Sequence, residues 1–186
     1  MYRVITKEKR REAEREVVDF FKGIELSANF DVIKLCSQFG FRMISLSLPN
    51  GIDGVIMVDG ETKVIGVSNR VSPVDARFVV AHELAHFIHE SQGKGINEVF
   101  FAAKDSILHD NEKSEDEDLM DFIAAAILVP KELFLKDLKA LGIAKVFSLD
   151  ETKKIEYGII ENLAKKYNVA DKLIMRRIFE VSDYVA

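Results

Sequence analysis

The feature that most constrains this chain is the run from Ser72 to Ile88, which opens Ser72-Pro73-Val74-Asp75 and carries His82-Glu83-Leu84-Ala85-His86. Serine is a good N-cap, proline suits the first helical position, and an acid in the first turn complements the helix dipole. A helix is therefore expected from about Pro73 to Glu90. His82 and His86 are four residues apart on it and share one face, roughly 5–6 Å apart at Cβ. Phe78, Val79, Val80 and Ala81 before the motif, with Leu84, Phe87 and Ile88 within and after it, make the helix largely buried. Two imidazoles and a carboxylate are costly in such surroundings without a partner. Any fold of this chain has to bury that helix and satisfy those three side chains.

Two histidines at this spacing can converge on one zinc at about 2.0–2.1 Å. Glu83 faces the side where an attacking water would sit and can take its proton as the water adds to a peptide carbonyl. A catalytic zinc has three protein ligands and an open fourth position. A histidine six residues beyond His86 would serve, but that position is Gln92, so the metzincin pattern fails. His89 lies one turn after His86 and is poorly placed to complete a tetrahedron from the same helix; it reads as structural or supporting. The better third ligand lies in Glu115-Asp116-Glu117-Asp118-Leu119-Met120-Asp121. There a carboxylate at the start of an antiparallel helix reaches back to the metal, and an acid four residues later accepts the free N–H of a ligand histidine. Glu117 and Asp121 have that spacing, whereas Glu112, Glu115 and Asp116 read as a solvated acidic cap. Zinc is the expected metal, and manganese also suits histidine and carboxylate donors. For an oxyanion stabiliser, Tyr157, Tyr167, His109 and Arg77 are candidates among which the sequence does not choose. Arg77 reads more simply as a helix-surface residue.

The remaining chain supplies a scaffold. Helices are expected over 6–22 and 30–39, the latter closed by Gly40. Strands follow in FRMISLS, GVIMV and TKVIGVS, the last two flanking the hairpin signal Asp59-Gly60. Gly93 and Gly95 mark a loop, and the stretch up to Asp110 is ambiguous. After the acidic run, helices are expected over Leu119–Val129, from Pro130, and near 150–166 and 170–183. The order of helices, a small antiparallel sheet preceding the HExxH helix, then helices is α+β and mainly helical. With 186 residues, 48% of them hydrophobic, one domain is expected. Within it, about 1–28 form an N-terminal helix, about 30–135 the metal-site core and about 136–186 a helical region.

Charge and composition narrow the partners. A net charge of -5 and a single cysteine, Cys36, suit a soluble protein of a reducing compartment. The charged N-terminus lacks the apolar core of a secretion signal, and Phe122–Pro130 is too short to span a bilayer. The expectation is cytoplasmic, with no membrane partner. Residues 163–178 read as a helical hairpin completing the core, with Asn168 in the turn and Val169 and Ile174 inside. The competing reading is a helix-turn-helix in which Arg176 and Arg177 meet phosphate; the acidic balance argues against direct DNA binding. The strand Lys63–Ser68 could serve as an edge that holds substrate extended, or simply pair within its sheet.

Two segments resemble the ImmA/IrrE metallo-endopeptidases. They are Arg77-Phe78-Val79-Val80-Ala81-His82-Glu83-Leu84-Ala85-His86, and the run from Glu117-Asp118-Leu119-Met120-Asp121-Phe122 to Ala124-Ala125-Ala126-Ile127-Leu128-Val129-Pro130. Ala85 stands where that family usually has glycine, and Ile123 where it has phenylalanine; both changes are conservative in packing. The resemblance implies a zincin-like fold, His82, His86 and Glu117 as zinc ligands, and Glu83 as the catalytic base. By that likeness alone, it also implies an endopeptidase acting on a protein partner, a helix-turn-helix repressor or an antitoxin. The alternative is a metal-containing regulator that sequesters a repressor with little or no proteolysis.

Overall fold

A computed structural model describes residues 5–91, 115–143 and 149–182. The expected glycine loop at Gly93 and Gly95, the ambiguous stretch to Asp110, His109 and Glu112 lie outside the described residues. The fold is α+β and mainly helical, as the order of sequence patterns implies.

Helix α1 (Lys7–Phe20) is capped by Thr6, whose side chain accepts from the Lys9 N–H. Its charged surface is solvated, and it docks through Ala13, Glu14 and Val17, followed by Phe21. Helix α2 (Val32–Gln38) is capped by Asp31 and closed at Gly40, which takes φ +83 as a chain leaving a helix at glycine can.

Three strands follow: β1 (Phe41–Leu46), β2 (Gly54–Asp59) and β3 (Thr62–Ser68). The Asp59-Gly60 hairpin forms as expected, pairing Asp59 with Thr62. Gly60 supplies the positive φ of 55 at the first turn position. The sheet is mixed rather than the antiparallel one expected: the order is β1-β3-β2, β2 pairs with β3 antiparallel, and β1 joins β3 in parallel. The segment between β1 and β2 steps past one strand width, and the returning arm of the hairpin fills the gap. Lys63–Ser68 is therefore the central strand, which removes it as a substrate-holding edge. Both of its sides are already hydrogen-bonded.

Helix α3 (Pro73–Ser91) starts where the sequence signals put it: the Asp75 N–H donates to Ser72 Oγ at 3.2 Å, and Ser72 Oγ donates to Asp75 at 2.6 Å. It packs against β2 and β3, against α1 and α2, and most extensively against α4 (Glu115–Leu128). From Phe122 to Val129 every residue of that segment is buried, so the apolar run serves as the central core helix. Helices α5 (Lys131–Ala140), α6 (Leu149–Thr152), α7 (Tyr157–Tyr167) and α8 (Asp171–Val181) complete the chain. The helix expected over 150–166 is broken in two, because the chain turns after Thr152, which is buried where α6 meets α8. Asn168 takes the left-handed turn between α7 and α8, with φ 52, and Val169 and Ile174 are core residues. Among the described residues, no helix is long and apolar enough to cross a membrane.

Candidate metal centre

Helix α3 carries His82, Glu83 and His86 on its buried length, and α4 brings Glu117 and Asp121 against them. His82 Nε2 lies 3.2 Å from one Glu117 oxygen and His86 Nε2 lies 3.9 Å from the other. One donor atom from each of His82, His86 and Glu117 lies within 4.8 Å of the other two. Two imidazole nitrogens and a carboxylate oxygen so gathered could hold a metal ion, and they match a three-ligand set with an open fourth position.

Asp121 supports this group from behind. His82 Nδ1 lies 2.9 Å from Asp121 Oδ1, so a proton on Nδ1 is donated to the carboxylate, and in the neutral ring Nε2 keeps the lone pair that a metal would take. Burial alone would lower the His82 imidazole, but its hydrogen bonds to Asp121 and Glu117 outweigh that and push it up to about 9. Burial pushes the Glu83 carboxyl up to about 8, with His82 opposing and Glu117 adding to the shift. Its Oε2 is buried and has no hydrogen-bond partner among the described residues. A carboxylate oxygen in that condition is expensive. It calls for a partner that the described residues do not provide.

Glycine at the start of β2 makes room for this carboxylate. A Cβ at Gly54 would lie 2.5 Å from Glu83 Oε1 and 2.5 Å from Val79 Cγ1. The strand can thus approach the helix only where a side chain is missing.

The structure also reassigns residues that the sequence left in doubt. His89 turns to α1 and pairs with Glu16 at 3.1 Å, outside the metal-capable group. Arg77 is a clamp rather than a plain surface residue, donating to the Asn168 carbonyl at 3.1 Å and the Phe30 carbonyl at 2.9 Å. Tyr157 is exposed and bonded to Asp171, and Tyr167 donates to Asp137. Arg176 and Arg177, candidate phosphate contacts in the sequence, are both buried. Arg176 Nη1 stands 3.5 Å from Asp121 Oδ2 and Arg176 Nη2 donates to the Asp118 carbonyl, so Arg176 braces the acid that holds His82. Arg177 pairs with Glu14 of α1 and with Glu180. The available signal was the setting: two adjacent arginines between Leu173, Ile174, Ile178 and Val181, with Glu180 at three and four residues' distance.

A helix-borne histidine pair, an intervening glutamate and a carboxylate from the neighbouring helix together define a site of the metallopeptidase class. The chain belongs to the peptidase family described as the IrrE N-terminal-like domain, whose sequence profile matches residues 36–179. Among solved structures the fold is similar to a Mycobacterium tuberculosis transcriptional regulator, with a TM-score of 0.52 and 18% identity. That similarity covers 92% of this chain and 46% of the other, so the chain spans about half of that protein's length. A search of curated proteins found no match.

Proposed function

We propose that this protein is a zinc-dependent endopeptidase that cleaves a specific protein partner, a repressor-like transcription regulator or antitoxin. The observation that carries the proteolytic reading is the buried Oε2 of Glu83, without a hydrogen-bond partner among the described residues, beside the His82, His86 and Glu117 group. The family membership supports the peptidase chemistry, and the fold neighbour described as a transcriptional regulator accords with the choice of partner.

In this reading His82, His86 and Glu117 hold the ion. Bound there, zinc supplies Lewis acidity, polarising the scissile carbonyl and making a water acidic enough to attack near neutral pH. Glu83 accepts the proton of the attacking water and returns it to the leaving amine. Asp121 keeps His82 in the tautomer that offers Nε2, and Arg176 keeps Asp121 in place.

The direct test incubates the zinc-loaded protein with helix-turn-helix repressors of its own organism, with and without a chelator. Cleavage that the chelator removes supports the proposal. Tight binding without cleavage would replace it with a regulator that sequesters the repressor.

Two further results are expected. Asp121→Ala weakens zinc binding by about 10- to 100-fold, because a ligand histidine loses the acceptor that orients it. Arg176→Met moves affinity in the same direction by a smaller amount. A competition titration with a coloured chelator measures both, and unchanged affinity in Asp121→Ala would remove Asp121 from the metal centre.

The second concerns pH. In the metal-free protein Glu83 is raised from 4.5 to about 8 and His82 from 6.5 to about 9, so the folded state keeps protons that the unfolded chain gives up. The stability these protons contribute is fully present below each group's ordinary value and is lost as pH rises through 8 and 9. Thermal unfolding of chelator-treated protein should therefore show Tm falling as pH is raised through that window. The rise in Tm on adding zinc should grow over the same range, because the ligands must shed protons to bind it. A metal-free Tm that climbs instead would contradict this electrostatic picture of the centre.

A further inference from the structure

A cavity of about 420 Å³ lies one helical turn before the metal-capable group, between the first half of α3, the start of β2 and the α7–α8 turn. Its apolar wall is made by Val71, Val74, Phe78, Val79, Val169 and Leu173. Two of these connect it to the site. The Phe78 and His82 rings are 6.2 Å apart, and Val79 lies, with Glu83, against Gly54. Residues four apart on a helix share a face, so the wall at Phe78 and Val79 continues into His82 and Glu83.

The polar groups around the cavity are largely engaged in the fold. Both terminal nitrogens of Arg70 donate to backbone carbonyls, at Leu48 and Pro49. Ser72 and Asp75 are bonded to each other at the head of α3. Asp53 and Lys172 add one charge of each sign to the lining, which favours neither an anion nor a cation. What the cavity offers a ligand is apolar surface, in a volume suited to one large side chain and the backbone that carries it.

From this we infer that the cavity is the specificity pocket of the peptidase, and that it takes a large aliphatic side chain, of leucine size, from the residue next to the scissile bond. The inference rests on the metallopeptidase reading of the centre. It adds a substrate class: apolar segments of a protein partner, presented when that partner is locally extended.

Small zinc chelators test it without a known substrate. Acetyl-leucine hydroxamate places the side chain on one side of the metal, and the malonyl hydroxamate of leucine amide places it on the other. Each is compared with its glycine counterpart by calorimetry on the zinc-loaded full chain. In one of the two series the leucine compound should bind about tenfold tighter or more, as expected for burying an aliphatic side chain. Val74→Trp, at a half-exposed position on the cavity wall, should bring that ratio close to one while zinc content stays at the wild-type level. Val74→Ala, which opens the cavity, should keep a preference for leucine and guards against misfolding of the tryptophan variant. No leucine preference in either series, or a preference that Val74→Trp leaves intact, would overturn the pocket while leaving the metal centre standing. Failure of all four compounds to bind the zinc-loaded chain would overturn the peptidase reading of the centre, and the pocket with it.

Discussion

Glu83→Gln should reduce cleavage of the protein partner by roughly 10²- to 10⁴-fold, the usual contribution of a positioned general base. The substitution keeps the side chain's size and its place against Gly54, where a Cβ would meet Glu83 Oε1 at 2.5 Å. It removes only the ability to accept a proton. Zinc content should therefore match wild type, since His82, His86 and Glu117 are untouched, and partner binding should persist. The variant should also be at least as stable as wild type when metal-free, because a neutral amide avoids the burial cost that raises the Glu83 carboxyl to about 8. Kinetics, metal analysis and thermal unfolding together separate these outcomes. Retained cleavage in Glu83→Gln would assign the proton transfer to another group, whatever the status of the metal.

The second large effect falls on stability. Arg177 is fully buried in α8, with Nη2 2.6 Å from Glu14 of α1, Nη1 3.6 Å from Glu180 and Nε donating to the Val129 carbonyl at 3.0 Å. Its guanidinium also lies 5.5 Å from the centre of the Phe122 ring. One cation thereby ties α8 to α1 and to the end of α4. Arg177→Ala leaves Glu14 and Glu180 buried without that counter-charge, and breaking a buried pair from one side costs about 3–5 kcal/mol. For a chain of this length that is a fall in Tm of roughly 6–20 °C. Removing both sides, in Arg177→Met with Glu14→Leu, should recover part of the loss, because no uncompensated carboxylate then remains on α1. Denaturant and thermal unfolding measure both variants. A loss under 1 kcal/mol in Arg177→Ala, on the same scale as an exposed ion pair, would mean the cluster adds little net stability.

These two residues show how unevenly the site was legible in the sequence. Glu83 could be read directly, because helix periodicity converts a spacing of four between His82 and His86 into a shared face. The start of α3 was equally legible: Ser72, Pro73 and Asp75 act on the backbone within one turn, and nothing distant has to cooperate. Glu117 and Asp121 could be nominated by the same local rule, as two acids on one helical face. Their nearness to His82 depends on how α4 crosses α3.

Arg176 and Arg177 illustrate the opposite case. Their sequence neighbourhood suits a solvated basic turn as well as a buried ion cluster, and only the burial of α8 against α1 and α4 separates the two. The sheet was legible in part for the same reason. The Asp59-Gly60 turn dictates an antiparallel neighbour for β2, a local effect. The position of β1 beside β3, and so the loss of β3 as an edge, depends on a connection that passes over a strand. The sequence by itself determined the start of α3, the hairpin and the spacing of the metal-capable histidines, because those interactions close within a few residues. Tertiary structure alone decided strand order, the burial of the Glu83 carboxyl, the need for glycine at position 54 and the bracing of Asp121 by Arg176. Each of those depends on side chains from distant segments meeting in a region that excludes water, where a missing or added partner is costly.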